Sequence, residues 1–188
     1  YGYSCLGYEV AGGLGIKLDA PNREVYVMVG DGPWLMMSSE LVTAVQEGVK
    51  LTIVLLNNHG FQSIGGLSQA IGNGRFGVRY KFRNPKTGHL DGANVPVDFA
   101  ANARSLGAHV IAARDIPELK AALAEARRQT RSTVIVIETD AEKRAPGYDS
   151  WWDVPIAEVS EMASVRKARK AFAQAVQAFD VFHGRREL

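Results

Sequence analysis

Two short apolar runs constrain this chain more than any other feature. Val25-Tyr26-Val27-Met28-Val29 stops at Gly30-Asp31-Gly32, and Leu51-Thr52-Ile53-Val54-Leu55-Leu56 stops at Asn57-Asn58-His59-Gly60. A strand with one face in water alternates apolar and polar residues. A run without alternation is buried on both faces, as in a parallel sheet covered by helices. A third run, Thr133-Val134-Ile135-Val136-Ile137, ends at Glu138, and Ala108-His109-Val110-Ile111-Ala112 is a weaker fourth.

Helical patterns lie between the runs. Leu35 to Val49 carries Leu41, Val42, Val45 and Val49 on one face, and Val97 to Leu106 is a shorter segment. Asp115 and Glu118 stand at capping-box spacing ahead of a helix to Arg128, with Pro117 tolerated in its first turn. Alternating strand and helix predicts an α/β fold: a doubly wound, mainly parallel sheet with helices on both faces. Ligands in such sheets bind at the carboxyl ends of the strands, which puts Gly30-Asp31-Gly32 and Asn57-Asn58 on the functional rim.

Two segments depart from the alternation. Gly60 to Val95 is rich in Gly and Asn and carries Arg75, Arg79, Lys81, Arg83 and Lys86, which suits either a lid or binding loop or a solvated excursion. From Pro155 onward, Val165, Ala168, Phe172, Ala175, Phe179 and Phe182 recur at helical spacing and predict a long C-terminal amphipathic helix packed on its own domain. The reading is of one α/β domain over 1–150 and a C-terminal extension over 151–188.

Composition narrows the classes of function. With 188 residues and a net charge of +2, the chain offers no electrostatic case for nucleic acid or membrane binding. No apolar run reaches the roughly 18–20 residues of a bilayer span. The single cysteine, Cys5, cannot form an internal disulfide and fits a reducing cytoplasm.

The chemistry-bearing residues sit where the first two strands end. The Asp31 carboxylate, the Asn58 amide oxygen and the Gly60 backbone carbonyl are hard oxygen donors, the kind Mg²⁺ takes along with phosphate oxygens and water. Gly30 and Gly32 permit a sharp turn and a close approach to a phosphate, and the N-terminus of the following helix adds partial positive charge. The residues therefore point to a metal-bridged diphosphate site.

GDG followed some two dozen residues later by NN resembles the signature of thiamine diphosphate-dependent enzymes. The stretch from Leu6-Gly7-Tyr8 to Gly15 is similar to the Gly-rich segment those enzymes carry before the first strand. The resemblance implies that Asp31, Asn58 and Gly60 hold Mg²⁺ against the cofactor's diphosphate. It also implies cofactor contacts at Ser4, Leu6, Gly30, Gly32, Pro33 and Ser63, with Leu6 propping the bent cofactor and the Ser4 carbonyl receiving its aminopyrimidine. Tyr1 to Glu9, Ser39 to Thr43, and Gly147 to Val154 with its Ser150-Trp151-Trp152 block further resemble the C-terminal region of the trihydroxycyclohexane-1,2-dione hydrolases of myo-inositol catabolism. Trp151 and Trp152 serve either as a structural clamp or in closure over the substrate.

That resemblance implies hydrolytic cleavage of a C–C bond in a polyol-derived cyclic 1,2-diketone to give 5-deoxyglucuronate, with the cofactor as electron sink. It further implies an N-terminal pyrimidine-binding domain and a middle domain as partners, a homodimer or homotetramer, and no activity from this portion alone. His59 is either a proton shuttle or a plain loop residue. Pro33 departs from the Ser, Ala or Gly usual after GDG and offers no N–H to a phosphate. Two other readings stay open: another thiamine diphosphate reaction, such as acetolactate formation or 2-oxo acid decarboxylation, and a non-catalytic α/β module with Asp31 as phosphoacceptor.

Overall fold

The computed structural model describes residues 5–143 and 155–182. The element order is α1 (Glu9–Asp19), β1 (Tyr26–Gly30), α2 (Asp31–Met37), α3 (Glu40–Gln46), β2 (Thr52–Asn57), α4 (Gln62–Ala70), α5 (Phe99–Ser105), β3 (His109–Ala113), α6 (Ile116–Arg128), β4 (Thr133–Glu138) and α7 (Ala163–Phe182). The described residues of 1–61 and 80–141 form one compact unit, and those of 62–79 and 142–188 form another.

The first unit contains a four-stranded sheet of order β1-β2-β4-β3, with every pairing parallel. The side chains of β2 and β4 divide between two apolar layers, as the lack of alternation predicts, whereas β1, also expected to be buried on both faces, buries Val27 and Val29 on one face and leaves Tyr26 and Met28 exposed on the other. On one face Val27 and Val29 of β1, Ile53 and Leu55 of β2 and Val134 of β4 pack on Val10 and Leu14 of α1, Trp34 of α2, Leu41 of α3 and Phe99 of α5. On the other, Val54, Ile135 and Ile137 pack on Ala122 and Ala126 of α6. Helices on both faces of a parallel sheet are the doubly wound arrangement that the sequence predicts. Trp34, fully buried, donates from its indole Nε1 to Asn102 Oδ1 at 2.8 Å, satisfying its one polar atom in the core.

Caps explain where α6 begins. The Asp115 carboxylate accepts from the Glu118 N–H at 2.8 Å, and the Glu118 carboxylate accepts from the Arg114 N–H at 2.8 Å. The helix expected over 35–49 differs: it begins directly at Asp31 and breaks into α2 and α3 at Ser38 and Ser39. There Leu41 N–H bonds Ser38 O and Val42 N–H bonds Ser39 O, i to i−3 contacts that tighten the helix at a serine pair.

The 60–95 segment, expected to lack regular elements, holds α4 and a hairpin-like excursion. In the excursion Phe82 N–H bonds Ala93 O, Gly92 N–H bonds Phe82 O, and Lys81 bridges Asn94 in antiparallel fashion. Gly65 and Gly66 hid α4, because glycine is a poor helix former. Within the second unit, a Cβ at Gly65 would come 3.1 Å from Val78 Cγ2, so close packing, not turn formation, explains that glycine. The same unit contains α7, whose Val165 is buried and whose neighbouring Ser164 hydroxyl donates to Gly72 O at 2.6 Å. The expected domain boundary near 150 and the Trp151-Trp152 block lie outside the described residues. No helix among the described residues is long and apolar enough to cross a membrane.

Two glycines of α1 separate packing from propensity. A Cβ at Gly13 would stand 2.3 Å from Val27 Cγ2, on a β-branched side chain with little room to turn, whereas one at Gly15 meets nothing within 4 Å. Gly13→Ala is therefore expected to destabilise the domain by about 1–3 kcal/mol through overpacking. Gly15→Ala is expected to stabilise it by about 0.5–1 kcal/mol through helix propensity. Chemical denaturation of the two variants checks both signs.

Candidate functional site

Strand register brings the site together. Gly30 lies beside Leu56, and Asn57 lies beside Glu138, so Asp31, directly after β1, and Asn57 and Glu138, the last residues of β2 and β4, share the carboxyl edge of the sheet. Gly30, extended at φ −77° and ψ 162°, is the N-cap of α2, and Asp31 is its first helical residue. The Asp31 side chain is fully buried. Its Oδ1 accepts from Gly32 N–H at 2.8 Å, and its Oδ2 accepts from Gly60 N–H at 2.9 Å. One carboxylate thus ties the end of β1 to the turn after β2. Burial raises the Asp31 pKa above the usual carboxylate value, against the opposing pull of the N–H groups of Gly60, Gly32, Asn58 and His59.

The turn after β2 is unusual backbone. His59 has φ 60° and Gly60 φ 141°. The second value suits glycine alone, and the first costs a non-glycine residue about 1–2 kcal/mol. Asn57 Oδ1 accepts from the His59 N–H at 3.3 Å, and the His59 carbonyl accepts from Tyr80 N–H at 3.2 Å. Phe61 follows, its ring edge-on to Tyr80 at 6.1 Å between centroids. Gly32 sits under the Phe61 ring, where a Cβ would approach to 2.6 Å. The Tyr80 phenol is pushed up to about 12, first by burial and then by the charge of Asp31.

The donor set suits Mg²⁺. One terminal atom of the Asn58 amide lies 3.3 Å from Asp31 Oδ1 and 2.7 Å from the Gly60 carbonyl oxygen. With nitrogen at that position, the amide donates to both neighbours. With oxygen there, three oxygens face one another at separations close to an octahedral edge, roughly 2.9 Å for metal–oxygen bonds of about 2.0–2.1 Å. Rotation of one amide therefore converts a hydrogen-bonded triangle into half of a Mg²⁺ coordination shell. Among the described residues no three His, Cys, Asp or Glu side chains cluster as metal ligands. A cation here has a single carboxylate beside neutral oxygens, a shell that suits a phosphate-bound Mg²⁺.

The remaining predicted residues distribute as follows. Leu6 is exposed in the turn before α1, and the adjoining Gly7, at φ +86°, comes close to Met36, Met37 and the Pro33 carbonyl of α2. Pro33 lies in the first turn of α2, where a helix needs no N–H. Ser63 is in the first turn of α4, in the second unit. Ser4 lies outside the described residues. Sequence reasoning missed Phe61, Tyr80 and Glu138 as residues that shape the turn, and placed Asn57 on the rim without assigning it a role. Glu138 was findable, because it ends a buried run in the same manner as Asp31 and Asn58.

A family model, thiamine pyrophosphate enzyme, C-terminal TPP-binding domain, matches residues 1–137. The chain belongs to the thiamine pyrophosphate enzyme family. It is 47% identical over 168 residues to 3D-(3,5/4)-trihydroxycyclohexane-1,2-dione hydrolase of Bacillus cereus (strain AH820), covering 89% of this chain and 26% of that protein. A protein of the same name from Bacillus thuringiensis (strain Al Hakam) is 46% identical over the same shares. The chain thus spans about a quarter of the length of these relatives. Among solved structures, a thiamine diphosphate-dependent 4-hydroxybenzoylformate decarboxylase of Rhodococcus jostii RHA1 superposes with a TM-score of 0.58 at 25% identity, covering 72% of this chain and 23% of that one. Benzoylformate decarboxylase from Polynucleobacter necessarius gives 0.56 at 23% identity, covering 74% and 24%, a likeness of fold.

The raised Asp31 pKa has a measurable consequence in this thiamine diphosphate-binding domain. Without divalent cations the folded state holds the Asp31 proton more tightly than the unfolded chain. The resulting stabilisation is full below the unfolded carboxyl pKa of about 3.9 and is lost as pH rises through the raised folded value. In chelator, Tm is expected to fall across that window, and Asp31→Ala is expected to remove this part of the slope. Thermal melts against pH for the parent and the variant measure it.

Proposed function

We propose that this chain is the metal- and diphosphate-holding domain of a longer hydrolase that opens trihydroxycyclohexane-1,2-dione, a cyclic 1,2-diketone, by cleaving a C–C bond. The observation that carries the cofactor reading is the convergence of Asp31, Asn58 and the Gly60 carbonyl at the edge of the sheet. The substrate reading rests on the relatives that share 47% of residues over 89% of the chain. Structural likeness to 2-oxo acid decarboxylases favours a second reaction of the same cofactor, but at 25% identity it is the weaker support.

Thiamine diphosphate, when bound, supplies an electron sink that stabilises a carbanion. Asp31 supplies the one anionic metal ligand, Asn58 and Gly60 supply neutral oxygens, and the buried carboxylate anchors all three. Gly30 and Gly32 belong to the proposed diphosphate contacts through their backbone, the side-chain space at Gly32 being taken by the Phe61 ring, and the exposed Leu6 would brace the cofactor's rings. Ser4 and Ser63 belong to the same proposed contact set. His59, next to the ligands, is a candidate proton carrier. Protonation of the pyrimidine falls to a carboxylate of another domain, and assembly as a homodimer or homotetramer in the cytoplasm brings that domain to the site.

In the full-length protein, Asp31→Ala is expected to abolish Mg²⁺-dependent thiamine diphosphate binding, and Asn58→Ala to weaken it less, because an uncharged ligand is lost. Calorimetric titration decides, and parent-like binding by both variants refutes the metal assignment. Product analysis of the parent with the cyclic diketone against a 2-oxo acid decides between the two reactions.

Pro33→Ser is expected to tighten cofactor binding. It restores an N–H in the first turn of α2, and a hydrogen bond to a charged group contributes roughly 1.5–3 kcal/mol. The loss of proline's restriction of the unfolded chain is expected to lower stability without cofactor by about 0.4–1 kcal/mol. Titration and thermal melts of this variant read the two effects separately, and unchanged or weaker affinity places position 33 away from the diphosphate.

A further inference from the structure

Three side chains close a ring around Asn58 without being metal ligands themselves. Asn57, buried at the end of β2, donates from Nδ2 to Glu138 Oε1. The other oxygen of Glu138 lies 3.3 Å from His59 Nε2. The His59 N–H returns to Asn57 Oδ1 at 3.3 Å. The Asn57 carbonyl is held in turn by the backbone N–H and the hydroxyl of Thr139, at 2.9 and 3.2 Å. Glu138 therefore grips the residues on either side of Asn58.

This grip answers a specific need. His59 is in the left-handed region at φ 60°, a conformation that persists in a non-glycine residue only where its surroundings over-determine it. Relaxation of that one dihedral would swing the Gly60 carbonyl relative to the Asn58 side chain and separate the cluster they form with Asp31. The Glu138 side chain is 63% exposed, so it fills no core volume, and the pairing of β2 with β4 is made by backbone and does not require it. Its remaining contribution is the two contacts to the turn.

We propose that Glu138 is a positioning residue which, through Asn57 and His59, holds the strained turn so that Asn58 and Gly60 face Asp31 with metal-binding geometry. The proposal rests on the reading of Asp31, Asn58 and Gly60 as the metal site. Outer partners that orient ligands typically change metal affinity by about 10–100-fold when removed.

The test uses the full-length protein with Glu138→Ala, Glu138→Gln and, as a control on the site itself, Asp31→Ala. Mg²⁺ affinity is measured by calorimetry at saturating thiamine diphosphate. Hydrogen exchange at the amides of His59 and Gly60 is followed in metal-free protein, and kcat is separated from the Mg²⁺ requirement. Glu138→Ala is expected to weaken Mg²⁺ binding about 10–100-fold, with a far smaller change in kcat at saturating Mg²⁺. It is also expected to speed exchange at the two amides. Glu138→Gln still accepts from Asn57 and reaches His59, so it is expected to keep most of the parent affinity. Parent-like Mg²⁺ affinity in Glu138→Ala, while Asp31→Ala has lost it, overturns the positioning role and leaves the metal site standing. A loss that glutamine does not restore also overturns it. Unchanged binding in Asp31→Ala removes the metal site, and the positioning role falls with it.

Discussion

A buried carboxylate joining two strand ends is the interaction on which the site depends. Asp31 has no access to solvent, yet it accepts one N–H from its own helix and one from Gly60, across the sheet. Burying a carboxylate is costly unless hydrogen bonds or a cation compensate. The N–H groups compensate in part, since burial still outweighs them in setting the Asp31 pKa. A cation beside the carboxylate, as proposed, would offset the remaining imbalance. The same group thus orders the turn after β2.

Glycines around this carboxylate are explained by what approaches them. Gly60 takes a backbone angle open to few other residues, and Gly32 lies under the Phe61 ring. Phe61 in turn meets Tyr80, whose backbone N–H holds the His59 carbonyl. The first residue of the hairpin-like excursion therefore belongs to the wall of the site. Stability is given up locally at His59, in the pattern seen where strained backbone persists at functional positions.

Beyond the site, the apolar surface is uneven. Among the described residues β1 lies at the edge of the sheet; its Val27 and Val29 are buried, while Tyr26 and Met28, on the opposite face, are 50% and 69% exposed. Ile16 and Leu18 of α1 are also about half exposed. Exposed apolar residues in this density are what contacts between domains or subunits employ. The relatives that match this chain extend far beyond it, since it covers 26% of their length.

Much of this was legible in the sequence. Unbroken apolar runs specify a parallel sheet covered by helices, which holds on both faces for β2 and β4 but on one face only for β1, whose partner strand lies on a single side. The runs' abrupt ends at Gly30-Asp31-Gly32 and Asn57-Asn58 mark the carboxyl edge of the sheet, where ligands in such sheets gather. The break at Ser38-Ser39, helix α4 and the brace from Glu138 were not legible in the same way. Helix α4 contains two glycines that local propensity penalises, and the packing that explains Gly65 comes from residues ten and more positions away. The sequence by itself determined the fold class and where the strands end, because periodicity and strand termination are local properties. Only the tertiary structure decided that Asp31 reaches the Gly60 N–H and that Glu138 grips both neighbours of Asn58. Those contacts join residues 29, 81 and 79 positions apart, and parallel register, set by the packing of the whole sheet, is what brings them within reach.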